Sequence, residues 1–275
     1  MTFSDTDFDH LMTIVFEAAA REILPRFRNL DADDISEKTS AVDLVTQADL
    51  LAEQHITSAL KARFPTALIV GEEAYEADRS VVPALADAEL GFIIDPVDGT
   101  FNFAAGLPVF GTMVGVVANG ETIASIIHDP VLGDTVTAMK GSGTFLRRKT
   151  GQVRRLSVAA AAPLKEMTGS ISWAHMDEPD RSRICSNLSK TRIAFSLNCS
   201  AYEYWMAASG KWHFIGHSKL MPWDHLAGVL AHQEAGGYTA KFDGAPYRPG
   251  ETGGGIISAP DEDSWRMIRR EIIGA

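Results

Sequence analysis

The sequence predicts a fold of stacked helix and sheet layers, α+β or mixed α/β. Three observations predict it. Two amphipathic helical patterns lead the chain, a run of alternating strand patterns follows from Phe110, and the last part mixes helices with strands. At 275 residues, 45% hydrophobic and 22% charged, the chain can bury a sizeable core.

From Asp7 to about Arg28, Phe8, Leu11, Met12, Val15, Phe16, Ala19 and Ile23 recur with helical spacing. "VTQADLLAEQHITSALKARF" predicts a second helix, with Leu51, Ile56 and Leu60 on one face and Thr46 or Asp49 near its start. "ALIVGEE" reads as a short buried strand running into two acids, residues 80–90 as loop or short helix, and "GFIID" as a strand. "VFGTMVGVVA", "ETIASIIHDPVL", "DTVTAM" and "GTFLRR" read as strands separated by turn signals. Then "TGSISWAH" and "RIAFSLNCS" predict strands, and "AYEYWMAAS" a helix stopped by Gly210. "WDHLAGVLAHQEAG" predicts a helix ending at Gly236 and Gly237, and "GGGIISA" a strand. "DEDSWRMIRREII" closes the chain as a helix whose acids lead and whose arginines trail, matching the helix dipole. A boundary near residues 150–165 divides residues 1–150 from 151–275 within one compact catalytic unit.

The composition excludes several function classes. The net charge of −11 argues against a general nucleic-acid binder. No apolar run reaches membrane-spanning length, and the acidic "MTFSDTDFDHLM" is no signal peptide. Cys185 and Cys199 form no C-x-x-C pair, so the reading is a cytoplasmic protein with reduced thiols.

The chemistry sits in "GFIIDPVDGTFNF". Pro96 keeps Asp95 in extended chain at a strand end. A tight bend brings Asp98, and Gly99 and Thr100 open a new segment whose amides suit a phosphate. Hard oxygen ligands beside a phosphate site suggest Mg²⁺. The bland alternative is that Asp95 and Asp98 are turn and cap residues. A second rival is the D-x-D-x-T pattern of phosphatases that form an aspartyl-phosphate. Here the spacing is D-x-x-D-x-T, which turns the second acid away from the first. Glu72 in "GEE" and Asp224 in "PWDHLAG" also stand at the ends of regular elements. Four such carboxylates repel one another unless a cation neutralises them.

"GEE", "DPVDGTFNF" and "PWDHLAG", in this order, together with "KTSAVDLVTQAD" (Lys38 to Asp49), resemble the inositol monophosphatase family of Mg²⁺-dependent, lithium-sensitive phosphatases. The resemblance covers nearly the whole chain. It implies the layered αβαβα sugar-phosphatase fold, a homodimer, and two or three Mg²⁺ ions per site. It implies that Glu72, Asp95 and the Val97 carbonyl hold a first ion, that Asp95, Asp98 and Asp224 hold a second, and that Glu72 shares a third. The Gly99 and Thr100 amides would hold phosphate oxygens. Water oriented by Thr100, and through it by Asp49, would attack phosphorus.

The substrate pocket departs from the family. His217 stands seven residues before Asp224, where members acting on inositol phosphate carry an acid. Met221 replaces a frequent His. Asn198-Cys199-Ser200-Ala201 replaces a segment that begins with glycine, leaving Ser200 as the candidate ring contact. Lys219 adds a cation five residues before Asp224. The substrate expected is thus a small phosphorylated metabolite, inositol phosphate-like, with histidinol phosphate, 3′-phosphoadenosine 5′-phosphate, fructose 1,6-bisphosphate and NADP as alternatives. A role of another class is that of the extragenic-suppressor relatives, which bind transcription or ribosome-assembly machinery; no basic patch in the sequence supports it. Zinc at His213 and His217 lacks an H-E-x-x-H pattern. His128-Asp129-Pro130 reads as a β-turn, and Tyr202, Tyr204, Trp205 and Trp212 as core or dimer surface.

Overall fold

A computed structural model of the chain describes residues 3–31, 34–40, 43–75 and 78–274. Ala41 and Val42, within the N-terminal motif, lie outside the described residues. Helix α1 (Asp5–Ala18) is capped by a reciprocal Ser4–Asp7 box and runs on as a π-wound segment, Ala19–Ile23. A hairpin of β1 (Ile35–Ser40) and β2 (Asp43–Thr46) leads into α2 (Gln47–Arg63), which a Thr46–Asp49 box caps. Strand β3 (Leu68–Gly71) runs into the short α3 (Glu72–Tyr75), and 3₁₀ turns at Arg79–Val81 and Pro83–Asp87 follow. Strand β4 (Gly91–Asp98) carries the motif into α4 (Thr100–Ala104).

Antiparallel strands then follow: β5 (Gly111–Ala118), β6 (Glu121–His128), β7 (Thr135–Met139), β8 (Gly143–Arg147) and β9 (Val153–Arg155). With β3 parallel to β4 they make a seven-stranded sheet in sequential order. After β10 (Thr168–Ile171) come α5 (Asp180–Leu188), β11 (Ile193–Ala194), α6 (Ser200–Ala208) and β12 (Phe214–His217). Helix α7 (Pro222–Glu234), β13 (Tyr238–Lys241), β14 (Ile256–Ala259), α8 (Glu262–Ile268) and a π-wound end complete the chain. The second sheet has the order β11-β10-β12-β14-β13.

Apolar packing stacks these elements in five layers. Phe8, Leu11, Ile56 and Leu60 of α1 and α2 cover one face of the large sheet through Phe92, Ile94 and Val114. Tyr204, Ala207, Leu230 and Ala231 of α6 and α7 fill the space between its other face, at Met113, Ile127 and Val136, and the second sheet, at Ile215 and Ile256. Ile184, Trp265 and Ile268 of α5 and α8 cover the far side of that sheet at Phe214 and Ile257. The order is αβαβα, as expected.

Some expectations change. "RIAFSLNCS" keeps only Ile193–Ala194 in a ladder, because the Glu203 carboxylate takes the Leu197 amide at 2.9 Å and the Ser196 hydroxyl at 2.8 Å. "TGSISWAH" leaves its strand at Ile171 and continues as a 3₁₀ turn, Trp173–His175. The hairpin β1–β2, strands β9 and β13, and helix α5 are additional to the sequence reading.

Candidate active site

Two acids three residues apart on a regular strand would point to opposite faces, because side chains alternate. Strand β4 escapes this by a bulge. Asp95 pairs with Met113 and Asp98 with Gly111, so three steps along β4 match two along β5. Pro96 lies in the bulge, where it owes no amide to the ladder. Its carbonyl is held by the Thr112 hydroxyl at 2.8 Å. Both carboxylates therefore turn toward the first turn of α7, where Asp224 is the third residue. One carboxylate oxygen from each of Asp95, Asp98 and Asp224 lies within 4.8 Å of the others.

Burial, and then the charges of Glu72, Asp98, Asp224 and Asp49, push Asp95 well above the usual carboxylate range. Burial and the charges of Glu72 and Asp98 do the same to Asp224, against a pull from Lys219. Asp98 is pushed up to about 6 by burial, against hydrogen bonds from Cys199, Ala201 and Ser200. Oδ1 of Asp95 is buried with no hydrogen-bond partner among the described residues. A buried carboxylate oxygen left without a donor, inside a cluster of acids that resist ionisation, fits a cation. The donor set is all oxygen, which suits a hard cation.

Glu72 opens α3 half-buried, close enough for its charge to act on all three acids. Its position depends on Glu53 of α2. That carboxylate accepts from the amides of Glu73 at 2.8 Å and Ala74 at 2.9 Å. A side chain at Gly71 would collide with Glu53, so the glycine of "GEE" makes room for this cap. Gly99 sits at φ +87°, and a Cβ there would meet the Val109 carbonyl at 2.9 Å and the Cys199 side chain at 3.1 Å.

Asp49 meets Thr100 across the site. The Thr100 hydroxyl lies 3.1 Å from Asp49 Oδ1 and 3.0 Å from the Val97 carbonyl. Asp49 Oδ2 also accepts from the Thr46 amide at 2.8 Å and hydroxyl at 2.5 Å. The substrate-side residues differ from a simple tally of motifs. Ser200 begins α6, and it is the next amide, Ala201, that reaches Asp98 at 2.6 Å, beside the Cys199 thiol at 2.9 Å. His217 is buried on β12, with Nε2 3.7 Å from Glu203 Oε2 and its ring stacked on Tyr204. Glu203 is 2% exposed, and burial pushes it up to about 7 against its hydrogen bonds from Leu197 and Ser196. His213 lies on the loop before β12, where its Nδ1 accepts from the Thr168 amide. Asp129 Oδ1 accepts from the amides of Val131 and Leu132, making the expected turn.

Glu53, Cys199 and Glu203 were not singled out by sequence reasoning. Glu203 left a signal: it is the lone charge in "NCSAYEYWMAAS".

The sequence matches the inositol monophosphatase family over residues 6–273. It is 32% identical over 215 residues to a Thermotoga maritima protein named fructose-1,6-bisphosphatase/inositol-1-monophosphatase, covering 77% of each chain. It is 30% identical to the Nus factor SuhB of Pseudomonas aeruginosa over 86% of each chain. Among solved structures, the Thermotoga maritima IMPase superposes with a TM-score of 0.78 at 25% identity, over 98% of this chain and 96% of that one. Staphylococcal IMPase-II, at 20% identity, shares the fold with a TM-score of 0.79, over 97% and 93% of the two chains. With its layers, its acidic cluster and these relatives in agreement, the chain belongs to the inositol monophosphatase family and is a phosphoric monoester hydrolase.

Proposed function

We propose that the chain is a Mg²⁺-dependent phosphomonoesterase that cleaves a small phosphorylated metabolite by direct attack of water. The observation that carries this is the orphaned Asp95 Oδ1 inside the three-carboxylate cluster. Glu72, Asp95 and the Val97 carbonyl would hold one ion, Asp95, Asp98 and Asp224 a second, and Glu72 would share a third. Bound there, the ions supply charge neutralisation at the phosphate and a lowered pKa for water.

The chain's own residues do the positioning. The Thr100 hydroxyl has one proton and two acceptable partners, Asp49 and the Val97 carbonyl. Donating to Asp49, it offers a lone pair to a proton of the attacking water, so the proton that the water loses can pass through Thr100 to that carboxylate. The Thr46 amide and hydroxyl fix Asp49 for this task. Gly99 and Thr100 open α4 toward the cluster, where their amides would take phosphate oxygens. Ser200 and His217 would face the leaving group.

The pocket favours a substrate with a second anionic group over bare inositol. Lys219 is exposed, and its cation reaches Asp224. The acid that receives polyol hydroxyls in the family is His217 here, and Glu203 stands behind it rather than in its place. Fructose 1,6-bisphosphate, 3′-phosphoadenosine 5′-phosphate, NADP and histidinol phosphate are the alternatives to inositol phosphate. The proposed working unit is a homodimer in the cytoplasm; among the described residues no helix is long and apolar enough to cross a membrane. Phosphate release from a panel of phosphomonoesters, with and without Mg²⁺, tests the reading. Turnover that ignores Mg²⁺, or no turnover of any phosphomonoester, overturns it. Inositol 1-phosphate as the fastest substrate overturns the reading of the pocket alone.

A further inference from the structure

We infer that the groove between α1, the turn after β6 and the β8–β9 hairpin docks an acidic amphipathic segment of another protein. The groove encloses about 460 Å³. Met12, Phe16, Leu24 and Pro130 make its floor, and Arg147, Arg148 and Lys149 its rim. None of these residues belongs to the acidic cluster.

Two independent features set this surface apart. The first is apolar exposure. Phe16 and Leu24 are 40% and 39% exposed, and Val131 and Leu132, beside Pro130 in the same turn, are 38% and 62% exposed. Large apolar side chains gathered at a concave surface mark a site of interaction. The Phe16 ring is held against His128 at 4.8 Å between centroids, so the floor is fixed. The second feature is charge. The chain carries −11 overall, yet among the described residues no Asp or Glu lines the groove. Arg147, Arg148 and Lys149 stand together at the rim, a basic cluster that the reading of the sequence passed over. Arg148 holds Asp134 at 2.9 Å, and Arg147 and Lys149 are the rim's two further cations. A local cationic rim on an acidic protein selects an anionic partner and repels further copies of this chain.

The floor decides between anionic partners. A nucleic acid would use the cations and could stack a base on Phe16, but would leave Met12, Leu24 and Pro130 unmatched. A small anion would use the cations alone. A helix with apolar residues three or four apart on one face and acids beside them matches floor and rim together.

Peptide display on the immobilised full chain tests the assignment, with counter-selection against a Phe16→Ser/Lys149→Glu double variant. The expected enrichment is of acidic sequences with apolar residues at that spacing. A synthetic copy, followed by fluorescence anisotropy, should lose about tenfold or more in affinity with either single variant, and weaken as salt rises. Phosphatase activity should be unchanged in both, which reports an intact fold; if Phe16→Ser loses activity, Leu24→Ser replaces it at the other end of the floor. No enrichment over the double variant, enrichment of neutral or basic peptides, or tighter binding of a single-stranded RNA or an alkyl phosphate to the same face overturns the assignment.

Discussion

Glu203→Gln separates the cost of a buried charge from the value of its hydrogen bonds. Glutamine keeps an acceptor for the Leu197 amide and the Ser196 hydroxyl, and loses only the ionisation. Burial raises the folded-state pKa of Glu203 from 4.5 to about 7. A raised carboxylate contributes its stability in acid: nothing is lost below 4.5, and the loss accumulates as pH rises through about 7. Two and a half pH units correspond to about 3 kcal/mol of destabilisation at pH 8, to order of magnitude. The variant should therefore match the wild type at pH 5 and exceed it by up to about 3 kcal/mol at pH 8, which is roughly 6 °C or more in Tm for a chain of this size. Urea unfolding at the two pH values, in chelator, reads the difference directly. A variant less stable at pH 8 than at pH 5, relative to wild type, would refute the reasoning. It would mean that a protonated His217 holds the carboxylate as an ion pair.

Asp95→Asn should lose nearly all activity and the Tm rise expected of the wild type in Mg²⁺, while its metal-free Tm stays level or rises; an active variant contradicts the assignment. Thr100→Ala should lower kcat by about 10²-fold or more with little change in the Mg²⁺ concentration needed; a trapped phosphoenzyme contradicts direct attack by water. His217→Glu alone should gain no inositol phosphate turnover, because it sets a second acid against Glu203, and the His217→Glu/Glu203→Gln double variant should show the gain; product assays on all three enzymes decide it. Gly71→Ala should displace Glu53 and with it Glu72, costing about 1–3 kcal/mol in stability and raising the Mg²⁺ requirement in an activity titration.

The parts legible in the sequence were those fixed by local rules. Pro96 between two acids marked the place where the strand bends, although the strand runs on through a bulge to Asp98 where an end at Asp95 was expected, and Asp224 marked a helix start. Apolar spacing located α1 and α2 because each buries one face on the large sheet. The parts not legible depend on partners distant in sequence. Glu203 shortens a strand pattern by taking its amides, which no window of "RIAFSLNCS" reveals. Cys199 and the Ala201 amide came to light only in the structure, because α6 arrives at Asp98 from about a hundred residues away in the chain. Helix α5 is mostly polar and borrows its stability from Ile184 and Leu188, packed on the far side of the second sheet.

That meeting of α6, α7 and β4 makes the acidic cluster a seam. Asp95 and Asp98 come from the large sheet, while the groups that complete and clamp the cluster, Asp224 and the Ala201 amide, come from helices that also carry the small sheet. Four mutually repelling carboxylates at such a joint press the two sides apart, and the cation proposed there would draw them together. Under the proposed function, metal supply would then act as a proofreader of assembly: only a chain whose two sides have packed together offers the complete site, and each such chain would gain about 2.7 kcal/mol at a free ion concentration a hundred times Kd. In a cell short of the ion, turnover per molecule and the number of molecules that survive proteolysis would fall together.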